Sequence, residues 1–277
     1  MKQIAVVILN WNGAALLERF LPTVIKNSGE IAHIYVADNG STDSSKELLN
    51  TKFPQVSIIE MPFNNGFAGG YNLALKDLNE PLFCLLNSDV APSENWLNPI
   101  ITAFKSDPQL AIAQPKILDE LKKTHFEYAG AAGGYLDALG YPFCRGRIFQ
   151  DIEEDLGQYN DSIEVFWATG ACMFIRNEVF NRLNGFDESY FAHQEEIDLC
   201  WRAKNLGYKV MYLGNSTIYH LGGSTLSNMN PKKTFLNFRN SLFSILKIMP
   251  LHRALGVILV RLILDGIAGL RFILQGK

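Results

Sequence analysis

Apolar runs and helix-like segments alternate over about the first ninety residues of the chain. Four runs are rich in Val, Ile and Leu, which is typical of strands that are buried on both faces of a sheet. Strands are predicted at residues 4–9, 31–37, 56–60 and 82–86, and helices at residues 14–25, 44–49 and 68–78. This repeated strand–helix order predicts an α/β fold, with a parallel sheet that carries helices on both faces.

A polar loop follows each of the four predicted strands. Ligands of open α/β sheets bind at the carboxyl ends of the strands, where such loops meet. The sequence therefore predicts a small-molecule site at this edge of the sheet. The four candidate loops are residues 10–13, 38–43, 64–70 and 87–90.

The middle of the chain has a less regular pattern. Residues 125–149 are rich in Gly and aromatic residues, which favours hairpins or a flap. Helices are predicted at residues 177–183 and 195–207, with Gly207 as the stop signal of the second one. Residues 209–213 and 217–220 have the apolar character of two short strands.

Composition excludes several classes of protein. The 277 residues are 48% hydrophobic and 19% charged, so the chain is neither disordered nor fibrous. A net charge of −3 excludes a uniformly basic nucleic-acid binder. The four cysteines form no C-x-x-C pair, which favours buried thiols in a reducing compartment. The first apolar run is too short for a signal peptide, so we expect a cytoplasmic protein.

The charge is concentrated at the carboxyl end. Residues 1–231 hold 17 Lys/Arg against 27 Asp/Glu, whereas residues 232–277 hold 8 Lys/Arg against one acid. Helices are predicted at residues 234–248 and from Pro250 to about residue 274. The polar residues of the second helix share one arc, and its three charges argue against a membrane span. We expect a basic amphipathic helix on the membrane surface, and the alternative is a helix packed on the protein body.

Two of the polar loops have the chemistry of a nucleotide site. Asp38 follows a strand and precedes a Gly turn, so its carboxylate can accept hydrogen bonds from a base or a ribose. The alternative is a helix cap supplied by Thr42 or Asp43. In residues 64–70, glycines would let backbone N–H groups approach an anion at a helix N-terminus. Ordinary close packing of these glycines is the alternative.

Acidic residues at two further positions suggest catalysis. Asp89 follows an apolar strand, where it could hold a divalent cation that bridges two phosphates, although it could also be a turn residue. Glu195, Glu196 and Asp198 place three carboxylates within four residues. Carboxylates crowded in this way raise one another's pKa, which suits a general base. The alternative is that they complement the dipole of a helix N-terminus.

Taken together, these motifs resemble the family 2 glycosyltransferases with a GT-A fold, and in particular their rhamnosyltransferase-like branch. The resemblance covers about residues 4–223. It includes the first strand with its loop, the nucleotide-base loop at 38–43, the Asn-Gly-Gly segment at 64–72 and the acceptor-side loop at 167–171. Residues 87–89 stand where the family has D-x-D, and residues 191–202 resemble its E-D-x-D-L-x-x-R helix.

The resemblance implies a GT-A catalytic domain at residues 1–230, with a nucleotide-sugar half to residue 110 and an acceptor half after it, followed by the basic tail at 231–277. It implies an inverting, Mg²⁺- or Mn²⁺-assisted transfer from a dTDP- or UDP-sugar to a lipid-linked or cell-surface glycan, at the inner face of the membrane and without nucleic acid. Donor contacts are expected from Asn10, Asn12, Asp38, Asn65, Gly66, Gly69, Asn72, Asn87, Ser88 and Asp89.

The same resemblance implies roles for the remaining site residues. Glu196 is expected to be the base, with Glu195 or Asp198 assisting it, and Asp89 and His220 are expected to bind the metal. Trp167 would offer a flat apolar face to a sugar ring. Arg202 could instead pair with Asp198, and Arg239 could be a solvated cation. The expected acceptor-side residues are Trp167, Thr169, Gly170, His193, Arg202 and Arg239.

The chain departs from the family pattern at two places. Asn87 replaces the first Asp of D-x-D, and Glu196 stands where the family has Asp, which leaves Glu195 and Glu196 as alternative bases. Three other functions therefore remain open: a sugar nucleotidyltransferase, a binding protein without catalysis and a membrane-bound scaffold. The first of these usually has a cation after its first strand, and residues 10–13 contain none.

Overall fold

The computed structural model describes residues 2–129, 131–222 and 231–274. Within these residues, nine strands form the central sheet and four form two small ribbons. The sheet strands are β1 (Ile4–Asn10), β2 (Ala32–Asn39), β3 (Ser57–Met61), β4 (Leu82–Asn87), β5 (Val90–Pro92), β6 (Leu110–Asp119), β11 (Ser162–Glu164), β12 (Cys172–Arg176) and β13 (Lys209–His220). The ribbon strands are β7 (Gly134–Leu136) with β8 (Pro142–Cys144), and β9 (Arg147–Ile148) with β10 (Asp151–Ile152).

Eight α-helices lie in the described ranges, and a single 3₁₀ turn is formed by Glu188–Tyr190. The four predicted strands near the amino terminus and the three helices between them are confirmed, within a few residues at their ends. The helices are α1 (Ala14–Ser28), α2 (Ser45–Lys52), α3 (Gly66–Leu75), α4 (Leu97–Ser106), α5 (Asn177–Arg182), α6 (Glu195–Asn205), α7 (Pro231–Ile248) and α8 (Leu251–Leu274).

The sheet is parallel in its first half and mixed in its second. Its order is β11-β13-β6-β12-β4-β1-β2-β3, and β5 pairs with β13. β1 pairs in parallel with both β2 and β4, with Asn10 opposite Asp38 and Leu9 opposite Asn87. β12 lies antiparallel between β4 and β6. The carboxyl ends of β1, β2 and β4 therefore meet at one edge, as the sequence predicted.

The core consists of two apolar layers on opposite faces of the sheet. Successive side chains of a strand point to opposite faces, and β1 shows this directly. Ala5 and Val7 belong to the layer that contains α3 residues, whereas Val6 and Ile8 belong to the layer that contains α1 residues. A continuous apolar run at β1 is what this two-sided burial requires.

The sequence did not indicate every element of the sheet. β6, β12 and α4 were not predicted, and β13 is one strand where two were expected. In β6, the polar residues Gln114 and Lys116 interrupt the apolar run although both are buried. In β13, the pairing register with β6 shifts between Leu213 and Thr217, which is the irregularity that divided the pattern into two.

The last two helices pack on the body of the protein. Arg261 of α8 is 1% exposed, and its guanidinium donates to the Leu139 carbonyl and to Ser241 Oγ, each at 3.1 Å. It also pairs with Asp265, whose carboxylate accepts a hydrogen bond from the Tyr141 hydroxyl at 2.5 Å. Arg261 and Asp265 of the polar arc therefore face the protein, whereas Arg253, Arg271 and most apolar side chains of α8 are exposed. None of the helices in the described ranges combines the length and apolar character that a membrane crossing needs.

We predict that Gly134→Ala destabilises the protein, because the indole of Trp167 occupies the space beside this glycine. An added Cβ would lie 2.0 Å from Trp167 Cε2. We expect the free energy of unfolding to fall by about 1–3 kcal/mol in a urea titration. Gly266→Ala in α8 is the control, since a Cβ there meets nothing within 4 Å. Equal stability of the two variants would contradict the packing described for the Trp167 ring.

Candidate active site

The edge formed by β1 and β2 carries a buried carboxylate. Asp38 is fully buried at the end of β2, and its Oδ1 accepts a hydrogen bond from Asn10 Nδ2 at 3.3 Å. Its Oδ2 accepts from the Ser41 backbone N–H at 3.2 Å, and Lys46 Nζ lies 3.8 Å from the same oxygen. Lys46 also lines a cavity of about 400 Å³ between residues 40–42 and residues 60–62, whereas Asp38 is not among the lining residues. The predicted base loop thus lines a pocket.

Asn12 holds the loop that follows β2. Its Oδ1 accepts from the backbone N–H of Thr42 at 2.7 Å and of Asp43 at 3.3 Å. Asp43 in turn accepts from the Ala14 and Ser45 N–H groups, both at 3.0 Å, so it caps the first turns of α1 and α2. The capping alternative is therefore correct for Asp43, whereas Asp38 bonds the Asn10 side chain and the Ser41 N–H and caps no helix. The side chain of Asn12 shapes the pocket wall rather than projecting from it.

Two asparagines that the sequence analysis missed organise the next loop. The Asn39 side chain accepts from the Asn65 N–H at 2.9 Å and donates to the Gly66 carbonyl at 2.9 Å. Asn64 Oδ1 accepts from the Gly66 N–H at 2.8 Å. Gly66 has φ +71°, and an added Cβ would lie 3.0 Å from the Phe191 carbonyl oxygen. Repeated Asn residues beside glycines were the available signal for this network.

Asn72 lies on α3, where its side chain is used to hold a neighbouring loop. Its amide donates to the Phe186 carbonyl at 2.9 Å and to Glu188 at 3.0 Å, and it accepts from the Phe186 N–H at 2.9 Å. Asn65 Nδ2 likewise donates to the Phe63 carbonyl at 2.7 Å. Gly69 packs beside Asn65 and Glu188. The Asn65 and Asn72 side chains are therefore bonded within the protein, and their contact with a donor stays a prediction.

Asp89 and His220 come together as expected for a cation site. Both are buried, and His220 Nε2 lies 3.1 Å from Asp89 Oδ1. Glu127 Oε1 lies 3.6 Å from the other ring nitrogen, and Asn87 Nδ2 lies 3.5 Å from Nε2. Carboxylate and imidazole are ligands of divalent first-row metals, and Mg²⁺ or Mn²⁺ commonly binds one or two protein ligands plus phosphates. The pair fits such an ion.

Substrate oxygens would have to complete that coordination. The described residues contain no group of three or more His, Cys, Asp or Glu that could hold a metal ion. Ser88, between Asn87 and Asp89, is half-buried beside the glycine that precedes α1. Asn87 Nδ2 lies 3.5 Å from His220 Nε2. Asn87 thus offers an amide at the position where the D-x-D motif has a second carboxylate.

The acceptor-side loop is placed between β12 and α3. Gly170 packs on the Phe67 ring of α3, so the acceptor-side loop neighbours the loop at residues 64–70. The buried Thr169 accepts from the Ala171 N–H at 3.3 Å, and its own N–H donates to Gln114 at 3.0 Å. Trp167 is only 7% exposed, and its Nε1 donates to the Tyr135 carbonyl at 2.9 Å. The expectation that Trp167 presents an open face to a sugar is therefore wrong, because Gly134 lies on the indole.

Glu195 and Glu196 lie at the amino end of α6, after a loop in an unusual conformation. Glu195 is 5% exposed and Glu196 is half-buried. One oxygen of each carboxylate, Oε2, is buried without a hydrogen-bond partner in the described structure. Burial raises the pKa of Glu196 to about 7. Burial and the neighbouring Glu196 raise the pKa of Glu195 well above its usual range. One carboxylate of the pair is thus suited to accept a proton near neutral pH.

His193 also lies in this loop and is neutral at pH 7. Burial lowers its pKa to about 4, and the charge of Lys233 on α7 acts in the same direction. Its Nε2 is buried without a hydrogen-bond partner among the described atoms. A neutral imidazole with a free nitrogen is able to hydrogen-bond a substrate hydroxyl.

Asp198, Arg202 and Arg239 are used in packing. Asp198 accepts from Arg202 Nε at 2.7 Å and from the Tyr190 hydroxyl at 3.1 Å. Arg202 also donates to the Leu183 carbonyl at 2.7 Å and to the Gly185 carbonyl at 2.9 Å. These bonds confirm the ion pair with Asp198 that was the alternative for Arg202, and the catalytic role of Asp198 and the acceptor role of Arg202 stay predictions. Arg239, which is half-buried, donates to the Tyr190 carbonyl at 3.1 Å, and its contact with an acceptor stays a prediction.

Comparison with known proteins identifies the family. The model of glycosyl transferase family 2 matches residues 5–183, which is more than half of the chain. The chain belongs to glycosyl transferase family 2. It is 25% identical, over 78% of its length and 75% of the relative's, to the N-acetylglucosaminyl-diphospho-decaprenol L-rhamnosyltransferase of Mycobacterium tuberculosis. It is also 42% identical, over 20% of each chain, to Rhamnosyltransferase WbbL of Escherichia coli K12. This family 2 chain is thus a glycosyltransferase of rhamnosyltransferase-like type.

Solved structures confirm the GT-A fold of the enzyme. GalNAc-T7, crystallised with UDP, GalNAc and Mn²⁺, superposes with a TM-score of 0.65 at 16% identity, over 83% of this chain and 45% of the other. The mannosyltransferase PcManGT of Pyrobaculum calidifontis, in complex with GDP-Man and Mn²⁺, gives a TM-score of 0.61 at 14% identity, over 88% and 63% of the two chains. The chain spans less than half of the GalNAc-T7 chain.

We predict that Arg202→Met destabilises the family 2 enzyme by about 3 kcal/mol, because the buried Asp198 loses its charged partner. The free energy of unfolding in urea is the measurement. Arg182→Met is the matched control: Arg182 is exposed on the neighbouring α5 and bonds only the Tyr208 hydroxyl among the contacts described. Its effect should stay within about 0.5 kcal/mol. An Arg202 variant as stable as this control would contradict the structural role of the ion pair and favour substrate binding by Arg202.

Proposed function

We propose that this enzyme is an inverting glycosyltransferase that moves a hexose, rhamnose or a similar sugar, from a nucleoside-diphosphate donor to a hydroxyl group of a lipid-linked or cell-surface glycan. The single observation that carries the proposal is the Glu195–Glu196 pair. It combines burial, an unpartnered oxygen on each side chain and a raised pKa at the amino end of α6. The family membership supplies the reaction type, and the fold supplies the donor edge.

The donor side is proposed to bind the nucleotide in the cavity beside Asp38. The buried Asp38 carboxylate accepts hydrogen bonds, which suits a base N–H or a ribose hydroxyl. Asn10 bonds Asp38, and Asn12 fixes the loop that walls the cavity. Residues 60–62 form the facing wall. The rhamnosyltransferase names of two relatives support a dTDP-sugar as donor, with UDP-sugars as the alternative.

Asp89 and His220 are the residues that would hold a divalent cation in this enzyme. Bound there, the cation would neutralise the diphosphate leaving group. Both proteins used for structural comparison were solved with Mn²⁺. Asn87 is proposed to contact the same phosphates through its amide, because it lies 3.5 Å from His220 Nε2.

Glu196 is proposed to act as the general base. Its carboxylate would take the proton of the acceptor hydroxyl, and the hydroxyl oxygen would then form a bond to the anomeric carbon. The bond from that carbon to the diphosphate oxygen breaks on the opposite face, and the nucleoside diphosphate leaves with the electron pair. Glu195 lies beside Glu196 in the same buried site, and burial together with the Glu196 charge raises its pKa. Glu195 would share the proton with Glu196 or orient the acceptor. His193 would hydrogen-bond an acceptor hydroxyl.

The acceptor is proposed to be reached at a membrane surface. The outward side of α8 exposes a row of large apolar side chains, and exposed apolar patches of this kind mark membrane or protein contacts. Arg253 and Arg271 are exposed on the same helix, so it has the charge that favours anionic lipid. The name of the M. tuberculosis relative includes a decaprenol diphosphate, a membrane-bound lipid. The exposed residues are Leu251, Leu255, Leu259, Ile263, Ile267, Leu270 and Ile273.

We predict that Glu196→Gln lowers the rate of sugar transfer at least 100-fold, the scale of a lost general base. The measurement is transfer of labelled sugar from dTDP-rhamnose, or from a UDP-sugar, to a polyprenyl-diphosphate-linked sugar. Glu195→Gln should cost less, and Glu178→Gln, at an exposed position on α5, should be neutral. In the wild-type enzyme kcat should fall as the pH drops below about 7, because protonated Glu196 cannot accept the proton.

Full activity of Glu196→Gln together with loss of activity in Glu195→Gln would move the base to Glu195. Full activity of both variants would refute the proposed mechanism.

We predict that the triple variant Leu259→Gln, Ile263→Gln, Ile267→Gln binds vesicles of phosphatidylglycerol and phosphatidylcholine less well than the wild type. These side chains are 66%, 67% and 60% exposed on α8, so the change leaves the buried contacts of the helix in place. The vesicle partition constant should fall on the order of 100-fold, since each side chain buries apolar area in the interface. Leu73→Gln with Leu206→Gln, at exposed apolar sites on α3 and after α6, is the control. Equal flotation of both variants would contradict the membrane role of α8.

A further inference from the structure

The segment before Glu195 is held in a strained conformation. Phe191, His193 and Gln194 have φ values of 64°, 68° and 74°, in the left-handed region that residues with a Cβ adopt at a cost. Three such residues within four positions persist only where their surroundings fix them. We call residues 187–194 the pre-base loop, because they lead directly to the two glutamates at the start of α6.

Helix α7 supplies the contacts that fix this loop. Asn240 is 0% exposed, and its Nδ2 donates to the carbonyls of Tyr190 at 3.1 Å, Ala192 at 2.9 Å and His193 at 2.7 Å. Arg239 Nε donates to Asn240 Oδ1 at 2.8 Å, which orients the amide so that its nitrogen faces the loop. One side chain therefore bonds the backbone carbonyls of three loop residues, two of which flank the positive-φ Phe191.

Other α7 residues bond the start of the same loop. Ser244 Oγ and the Tyr190 hydroxyl are hydrogen-bonded at 2.9 Å, and Lys247 Nζ pairs with Asp187 and donates to Ser189 at 2.9 Å. Apolar residues of α7, Leu236 and Ile245, are buried as well, so packing of the helix does not depend on Asn240 alone. The polar contacts of α7 are thus concentrated on the pre-base loop.

The opposite side of the pre-base loop faces the donor edge. The Phe67 N–H of α3 donates to the Phe191 carbonyl at 3.4 Å, and Glu188 accepts from Asn72 of α3 at 3.0 Å. The loop therefore lies between the first turn of α3 and the first turn of α6. A shift of the loop would change the position of His193 and Glu196 relative to the residues that line the donor edge.

We propose that Asn240 is a positioning residue of the transferase, which holds the pre-base loop in its strained form so that His193 and Glu196 meet the acceptor in a fixed geometry. The inference rests on the proposed function, since it takes Glu196 as the base. It also assigns α7 to the catalytic unit, although its sequence predicted a place in the basic tail.

The test compares Asn240→Asp and Asn240→Ala with the wild-type full-length chain. Asp keeps the size of the side chain but replaces the donor with a carboxylate that repels three carbonyl oxygens, and Ala removes the group altogether. Ser241→Ala is the matched control, because Ser241 is buried on the same helix and donates to the Gly140 carbonyl instead of the loop. Amide hydrogen exchange of residues 187–198, nucleotide affinity, and kcat with KM for the acceptor are measured for each variant.

We expect both Asn240 variants to exchange faster at residues 187–198 while β1 to β4 stay protected, and to keep their nucleotide affinity. Their kcat should fall on the order of 100-fold, the size of effect that a misplaced catalytic group produces. Ser241→Ala should lose thermal stability with kcat unchanged. Unchanged exchange in Asn240→Asp, or faster exchange with an unchanged kcat, would overturn the inference. A wild-type chain without transfer activity would refute the proposed function instead, and the exchange data would still decide whether Asn240 holds the loop.

Discussion

The parallel pairing of β1 with both β2 and β4 is the constraint on which the donor edge depends. It sets Asn10 opposite Asp38 and Leu9 opposite Asn87, so three polar loops begin at one level. Burial of β1 on both faces fixes this register, because its alternate residues enter two different apolar layers. The Asn10–Asp38 hydrogen bond and the Asn12-held loop are possible only in this register. A slip by one residue would move the side chains of each apolar layer to the opposite face of the sheet.

The second half of the sheet likewise brings together Asp89 and His220, the proposed ligands of the cation. β5 pairs antiparallel with β13 and sets Val90 opposite His220, which brings the imidazole to Asp89 from a strand 130 residues further along the chain. β12, antiparallel to β4, leads out of the acceptor-side loop, and that loop packs on α3. The loop that precedes the glutamate pair of α6 is held by contacts from α3 on one side and from α7 on the other.

Much of this architecture could be predicted from the sequence, and the exceptions have a common cause. Strands such as β1 and β4 have a continuous apolar run, and this run alone indicates that the strand is buried on both faces. β6 does not, since its buried Gln114 and Lys116 find partners from distant loops that no local pattern reveals. The same holds for the site. Residue type identified Asp38, Asp89 and the two glutamates as candidates, whereas Asn39 and Asn240 act on backbone groups far away in sequence. Trp167, Asp198 and Arg202 had the right chemistry for a site, but the sequence could not reveal their hydrogen bonds within the protein.

The most direct test of the central claim, a nucleoside-diphosphate site at the edge of β1, β2 and β4, is thermal unfolding of the full chain with dTDP, UDP and GDP, each with and without Mn²⁺. A ligand that binds the native state raises its apparent stability. We predict that one nucleotide raises the Tm more strongly with Mn²⁺, and that Asp38→Ala removes the effect of the nucleotide while Asp89→Ala removes the contribution of the metal. No shift with any of the three nucleotides, in buffer and with phospholipid vesicles present, would contradict it.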